Sequence, residues 1–182
     1  LRYSTILAPE QINELIKLCK FERGSKWTQL YRASRDGMSN ESFHAKCDNK
    51  PNTLTIVKAA ETGYIFGGYT SACWDTSYDF KDDPNAFLFS LTNGRGCPAK
   101  LNVKDSKHAI YCDPDYAIVF DEDLSINLSF SQTQDKYALK NHCFLGRCYE
   151  LPAGCPDYEV VNRFMAGATV FSVAELEVYQ RV

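Results

Sequence analysis

The chain has 182 residues, 45% of them apolar and 13% aromatic, and its 24% charged residues leave a formal net charge of −3. That size and composition suit one globular domain with a real core, and the acidic balance without any Lys/Arg-rich run argues against nucleic acid, which demands a basic footprint. The longest apolar run, Ala86 to Leu91, is strand-sized and far short of the ~18 residues that a membrane span requires.

Pro9 to Phe21 places Ile12, Leu15, Ile16 and Cys19 on one helical face, with Pro9 suited to the first turn and Gly24 beyond the end. Ser39 to Lys46 reads as a second short helix capped by Ser39. After Asn52 the period changes to that of strands: Thr53–Lys58 and Tyr64–Tyr69, joined by a loop ending in Gly63, read as a hairpin. Ala86–Leu91 reads as a buried strand followed by a turn at Thr92–Gly96. Further strands are expected at Ala109–Cys112, Tyr116–Phe120 and Leu124–Phe130. The last alternates Leu124, Ile126, Leu128 and Phe130 against Ser125, Asn127 and Ser129. Ser172-Val-Ala-Glu175 is a capping-box pattern, which predicts a helical turn before a final strand at Leu176–Tyr179. The fold class that follows is α+β on antiparallel sheets, in a single domain over residues 1–182.

Eight scattered cysteines, at 19, 47, 73, 97, 112, 143, 148 and 155, include no Cys-x-x-Cys pair. An even number without metal-ligand spacing favours a disulfide framework and an oxidising compartment, and the Cys143 to Cys148 loop, turning at Gly146, is a candidate local bridge. Sequons at Asn40 and Asn127 and a start at Leu1 agree with secretion. Catalytic patterns are poor. There is no Gly-x-Ser-x-Gly, Ser34 lacks an identifiable base, and His44, His108 and His142 show no zinc spacing. Gly67-Gly68 lacks the Lys-Ser/Thr of a phosphate loop and lies inside a strand, so close backbone packing explains the pair better. No nucleophile, cofactor or substrate pocket can be placed beside the carboxylates, so a hydrolase using Asp121 and Asp123 as acid and base ranks last.

Four blocks in order carry a resemblance to a known family: Leu30-Tyr-Arg-Ala-Ser-Arg-Asp-Gly37 with Phe43-His-Ala-Lys-Cys-Asp48; Tyr64-Ile-Phe-Gly-Gly-Tyr69 through Trp74; Asp83-Pro-Asn-Ala-Phe-Leu-Phe-Ser-Leu91; and Phe164-Met-Ala-Gly-Ala168 with Glu175-Leu-Glu-Val-Tyr-Gln180. In that order they resemble the TLDc domain family over nearly the whole chain. The resemblance implies an antiparallel β-sandwich flanked by short helices, and a thiol rather than a half-cystine at Cys47. It also implies structural or partner-facing roles for Tyr31, Arg32, Arg35, Asp36 and Asp48, a structural His44, and a structural turn at Asp83-Pro84. Where the family carries a glycine-rich stretch after a Phe, this chain has Phe120-Asp-Glu-Asp-Leu124.

Those carboxylates repel one another unless a cation or solvent screens them, and calcium accepts such oxygens with tolerant geometry. A solvated acidic turn explains them equally well. The first expectation is therefore a secreted, calcium-dependent lectin for glycans with terminal galactose, more loosely similar to a secreted galactose-binding lectin type of sea anemones. Its Ca2+ ligands would be Asp121, Glu122 and Asp123, supported by Asp113, Asp115 and Asn127, and its sugar contacts Tyr116, His142 and Arg147. Agglutination would require a homodimer. The alternative, implied by the family, is an intracellular non-enzymatic interaction module linked to oxidative-stress resistance and vacuolar proton-pump regulation.

Overall fold

The computed structural model describes residues 1–129, 140–154 and 161–182. The two expected helices and most of the expected strands lie where their periodicity puts them, with Ala33–Asp36, Trp27–Arg32, Asp79–Lys81 and Ala99–Asn102 as additions. Helix α1 runs Pro9–Cys19, opened by the Ala8 N–H donating to Gln11 and closed by Lys20 in the left-handed region. It is followed by β1 (Trp27–Arg32), the four-residue α2 (Ala33–Asp36) and α3 (Asn40–Cys47), where Ser39 accepts from the Ser42 N–H as the expected cap. Then come β2 (Thr53–Ala59), β3 (Ile65–Thr70), β4 (Asp79–Lys81), β5 (Phe87–Ser90) and β6 (Ala99–Asn102). A short 3-10 turn at Ser106–His108 leads into β7 (Ile110–Cys112), β8 (Ile118–Phe120), β9 (Leu124–Ile126) and β10 (Val173–Arg181).

These strands form an open, antiparallel six-stranded sheet in the order β1-β10-β2-β3-β5-β6, with the pairs β4-β7 and β8-β9 beside it. The sheet is covered on both faces. Leu54, Ile56, Ile65, Tyr69, Phe87 and Phe89 pack against Leu15, Cys19 and Phe21 from α1 and the loop after it. The alternate residues Val57, Phe66, Leu88, Leu176 and Val178 pack against Phe43, Trp74, Phe120 and Leu124. Double burial explains why β3 and β5 read as continuous apolar runs instead of alternating.

Gly67 and Gly68 set how closely the second layer approaches. A Cβ on Gly67 would lie 2.0 Å from the Thr55 carbonyl oxygen, and one on Gly68 would lie 2.5 Å from Cζ of Phe120. The pair is packing, as the strand context implied. Asp83 is likewise structural: it is 1% exposed and accepts from the Thr70 and Ser71 hydroxyls and the Ser71 and Asn85 N–H groups at 2.6 to 3.0 Å. His44 bridges Asp48 and the Tyr116 carbonyl oxygen, both at 2.8 Å.

Two sequence expectations change. No helical turn forms at Ser172–Glu175; β10 begins at Val173 with an irregularity before Glu175, and the Glu175 carboxylate accepts from the Ser34 and Leu176 N–H groups. β9 stops at Ile126, and Ser125 and Asn127 are buried like their apolar neighbours, because both sides of the strand are covered. Phe130 lies outside the described residues.

Gly67→Ala is expected to cost at least about 3 kcal/mol, the scale of overpacking against an immovable backbone. Urea denaturation followed by tryptophan fluorescence measures it, and a loss below about 1 kcal/mol would show that β2 and β3 can part to admit the methyl group.

Candidate functional site

The β8-β9 hairpin turns through Asp121, Glu122 and Asp123, where the resemblance leads to an expectation of glycines. Asp121 has φ of 48°, a left-handed conformation that Asp tolerates better than most side chains. The chain returning at Phe144–Cys148 lies over this turn and is fastened to it by every one of the three acids. The Asp123 carboxylate accepts from the N–H groups of Gly146 at 2.6 Å and Cys148 at 2.7 Å. Asp121 accepts from Arg147 Nε at 3.0 Å and from the Cys148 thiol at 3.1 Å. Glu122 pairs with Arg147 through its side chain at 2.5 Å, while its carbonyl accepts from the Phe144 N–H.

A cleft of about 420 Å3 opens beside this clasp. One border is Phe80 of β4 with Tyr111 of β7, ring centroids 4.8 Å apart; another is Tyr116, His142 and Phe144. Val119, Ser125 and Asp121 contribute the buried part of the lining, and Asp113, Glu122 and Arg147 its charge. Phe80 and Phe144 remain 39% and 44% exposed, which is costly for side chains of that size without a partner.

Six of the nine residues singled out from sequence therefore meet at one cleft: Asp113, Tyr116, Asp121, Glu122, His142 and Arg147. The other three do not. Asp123 is buried beneath the returning loop. Asp115 is exposed, with its N–H donating to Asp113 and its carbonyl accepting from Asn40. Asn127 accepts from the Asn40 side chain and the Ser129 N–H. The cleft aromatics Phe80, Tyr111 and Phe144 were missed, because Phe80 sits in what reads as an acidic loop and Phe144 inside the Cys143–Cys148 segment.

The clasp does not suit calcium. That ion takes roughly 6–8 oxygens, whereas Asp123 gives both of its oxygens to backbone N–H groups and Asp121 is committed to Arg147. The third member of the only close trio among the described residues, Asp121, Asp123 and Cys148, is a thiol, a soft donor. A salt bridge and hydrogen bonds already relieve the repulsion that made a cation attractive.

The disulfide framework is also corrected. All seven described cysteines are free; Cys155 lies outside the described residues. Cys143 and Cys148 form no bridge: Cys143 is buried in the core, and the Cys148 thiol is turned to Asp121. Burial and the neighbouring Asp121 push the Cys148 thiol up to about 12; burial, against the pull of Lys100, takes Cys19 to about 12, and burial is the main cause that takes Cys112 to about 11. Both sequon asparagines are buried, at 6% and 7% exposure, with their side chains hydrogen-bonded to each other, so the folded domain offers neither for glycosylation.

The chain belongs to the TLDc domain family, whose profile matches residues 1–182. Among individual proteins it is similar to the MTOR-associated protein MEAK7 of Danio rerio, 34% identical over 65 residues covering 36% of this chain and 14% of that protein. The Xenopus laevis protein of that name is 36% identical over 76 residues, 40% of this chain and 15% of the relative. In Mus musculus the identity is 26% over 90 residues, 50% and 20% of the two chains. The matched stretch thus spans no more than 20% of the length of these relatives.

These findings overturn the lectin. A TLDc domain similar to proteins named for association with mTOR replaces the expected secreted, calcium-dependent binder of terminal galactose. Secretion had rested on a disulfide framework and on sequons, neither of which the described structure contains in usable form. The homodimer, needed only for agglutination, loses its rationale.

Two measurements test this chemistry. In the native protein an aromatic disulfide reagent is expected to titrate Cys97 and Cys73 quickly and the five buried described thiols only after unfolding; a Cys143–Cys148 peptide in a non-reduced digest would refute the thiol assignment. Burial, aided by Asp121, raises the Asp123 carboxyl above its ordinary range against the opposing pull of the backbone N–H groups. Its contribution to stability is thus full below the unfolded-state value and declines as pH rises through the raised folded one. Thermal melts from roughly pH 4 to pH 7 should show that decline, and Asp123→Asn should flatten it; an unchanged slope would assign it to another group.

Proposed function

We propose that this chain is an intracellular protein-interaction module that works by binding and performs no catalysis. It holds a segment of a partner, in an assembly associated with mTOR, in the cleft between Phe80 and Phe144. The observation that carries the reading is this pair of exposed aromatic rings bordering a single cleft in a TLDc domain. Large aromatics that are solvent-exposed when free and bury on association are the usual anchors of protein interfaces. The names of the MEAK7 relatives supply the assembly. The family's links to oxidative-stress resistance and proton-pump regulation supply the broader cellular setting.

The cleft also favours one kind of segment. Among the described residues lining it, Asp113, Asp121 and Glu122 are countered by Arg147 alone. A partner presenting Lys or Arg beside an apolar or aromatic side chain would complement both its charge and its walls. Catalysis has little to work with here. The Ser125 hydroxyl donates to the Asp121 carbonyl, His142 Nδ1 faces the Lys140 carbonyl at 3.1 Å, and the Cys148 thiol is held protonated by burial and Asp121.

Affinity purification of the tagged protein from cells tests the reading, with mTOR recovery followed by immunoblot. Recovery with the parent chain and a reduction of about tenfold in Phe80→Ala/Phe144→Ala, equivalent to about 1.4 kcal/mol, is expected. No recovery with the parent chain would remove the mTOR assignment. Undiminished recovery with the double variant would remove the cleft as the contact.

A further inference from the structure

On the other side of the sheet, the clefts at the end of α1 carry charge of the opposite sign. Lys17 and Lys20 close α1, Arg23 and Lys26 lie in the loop that follows, and Arg181 ends β10. These are five of the chain's 20 basic residues, in a protein whose net charge is negative, and Glu22 is the one acid lining the same surface. Two clefts of about 710 Å3 each run through them. The first holds Lys17, Lys20 and Arg23, the second Arg23, Lys26 and Arg181, and they share Arg23 and Gly24.

Ordinary stabilisation accounts for part of this. The carbonyl end of a helix attracts cations, which explains Lys17 and Lys20. It does not explain Arg23, Lys26 or Arg181, which lie beyond the helix. None of the five enters a salt bridge among the described residues. Arg181 is nonetheless fixed: its guanidinium donates to the Tyr69 hydroxyl at 3.2 Å and lies over the rings of Phe21 and Tyr69. A held arginine at one end, with exposed cations outside any salt bridge leading away from it, offers an anionic ligand a complementary surface.

We propose that this surface is a second binding site, an elongated basic track that takes an extended acidic segment of a protein partner. The cations are distributed over two joined clefts and do not converge on one point, so a chain of carboxylates matches them better than a compact phosphate. Single-stranded nucleic acid is disfavoured because its binders offer exposed rings for base stacking. The one ring lining the track, Phe21, is buried and packed against Trp27, Tyr69 and Phe87. Half-buried Ile16 gives the first cleft an apolar contact for a side chain between the acids. The site is independent of the Phe80–Phe144 cleft, being built from residues on the opposite side of the sheet.

Fluorescence anisotropy of the full chain, with a labelled peptide of Glu and Asp interspersed with Leu, tests the proposal. Saturable binding that weakens with added salt is expected, together with a loss of about tenfold in Arg23→Glu/Lys26→Glu and again in Lys17→Glu/Lys20→Glu. All four residues are exposed, and matching thermal melts check that the variants remain folded. Phe80→Ala/Phe144→Ala should bind the acidic peptide as the parent does, so failure of one site leaves the other standing. A peptide with Lys in place of the acids should not bind. Absent binding, binding indifferent to charge reversal, or capture of inositol hexakisphosphate or oligo-dT in preference to the acidic peptide would each overturn the acidic-segment assignment.

Discussion

Everything on the functional side of this domain hangs from one contact, the ring of Phe120 seated against Gly68. A strand in the middle of a six-stranded sheet ordinarily presents a side chain at every second position; β3 presents none at Gly68, and Phe120 occupies the space. Phe120 is the last residue of β8, so the contact sets the height and position of the β8-β9 hairpin over the sheet. The turn Asp121–Asp123 follows directly, the Phe144–Cys148 segment is bonded to that turn, and the cleft lies where these pieces meet β4 and β7. Removing side chains at one place thus determines the geometry of a site some distance along the chain.

The sheet beneath has its own dependency. β10 lies between β1 and β2, with Val173 opposite Ala59 and Trp27 opposite Arg181. The sheet is therefore completed by the last strand of the sequence, and much of its pairing is between distant segments. Buried Glu177 on β10 accepts from the hydroxyls of Ser4, Thr5 and Tyr179 and from the Thr5 N–H, at 2.6 to 3.0 Å. A buried carboxylate is tolerable when so many donors surround it, and this one binds the first residues of the chain to its final strand. Long-range pairing of this kind makes folding slow relative to helical domains of similar stability.

Much of this was legible in the residues. The period of α1, the Ser39 cap, the β2-β3 hairpin and the apolar β5 strand were readable because each is a local signal. The Gly67-Gly68 pair was readable as packing because no phosphate-loop lysine follows it. The acidic stretch was recognised as the notable departure in this chain, and most of the residues grouped around it do share a cleft. What the carboxylates do there was misread. Repulsion among Asp121, Glu122 and Asp123 suggested a cation, and the compensation comes from Arg147 and from backbone N–H groups more than 20 residues away, which no local pattern announces. Phe80 and Phe144 escaped for a related reason: their significance lies in being exposed together, and exposure is a property of the assembled layers. The cysteine count misled because number and spacing cannot distinguish a half-cystine from a core thiol, and here five of the seven described thiols are buried in one core or the other.

The two charged surfaces lie on opposite sides of the sheet, the acidic one around the β8-β9 turn and the basic one around the end of α1. A net charge of −3 therefore conceals two local surfaces of opposite sign, one on each side of the sheet. In the field of a charged partner such a body experiences a torque before contact and approaches preferentially with one side forward. Its association rates should be sensitive to ionic strength even with partners of little net charge, because over a Debye length of about 8 Å in physiological salt a partner senses the nearer face far more than the total. An orientation set in this way would present the domain's two sides to two different neighbours at once.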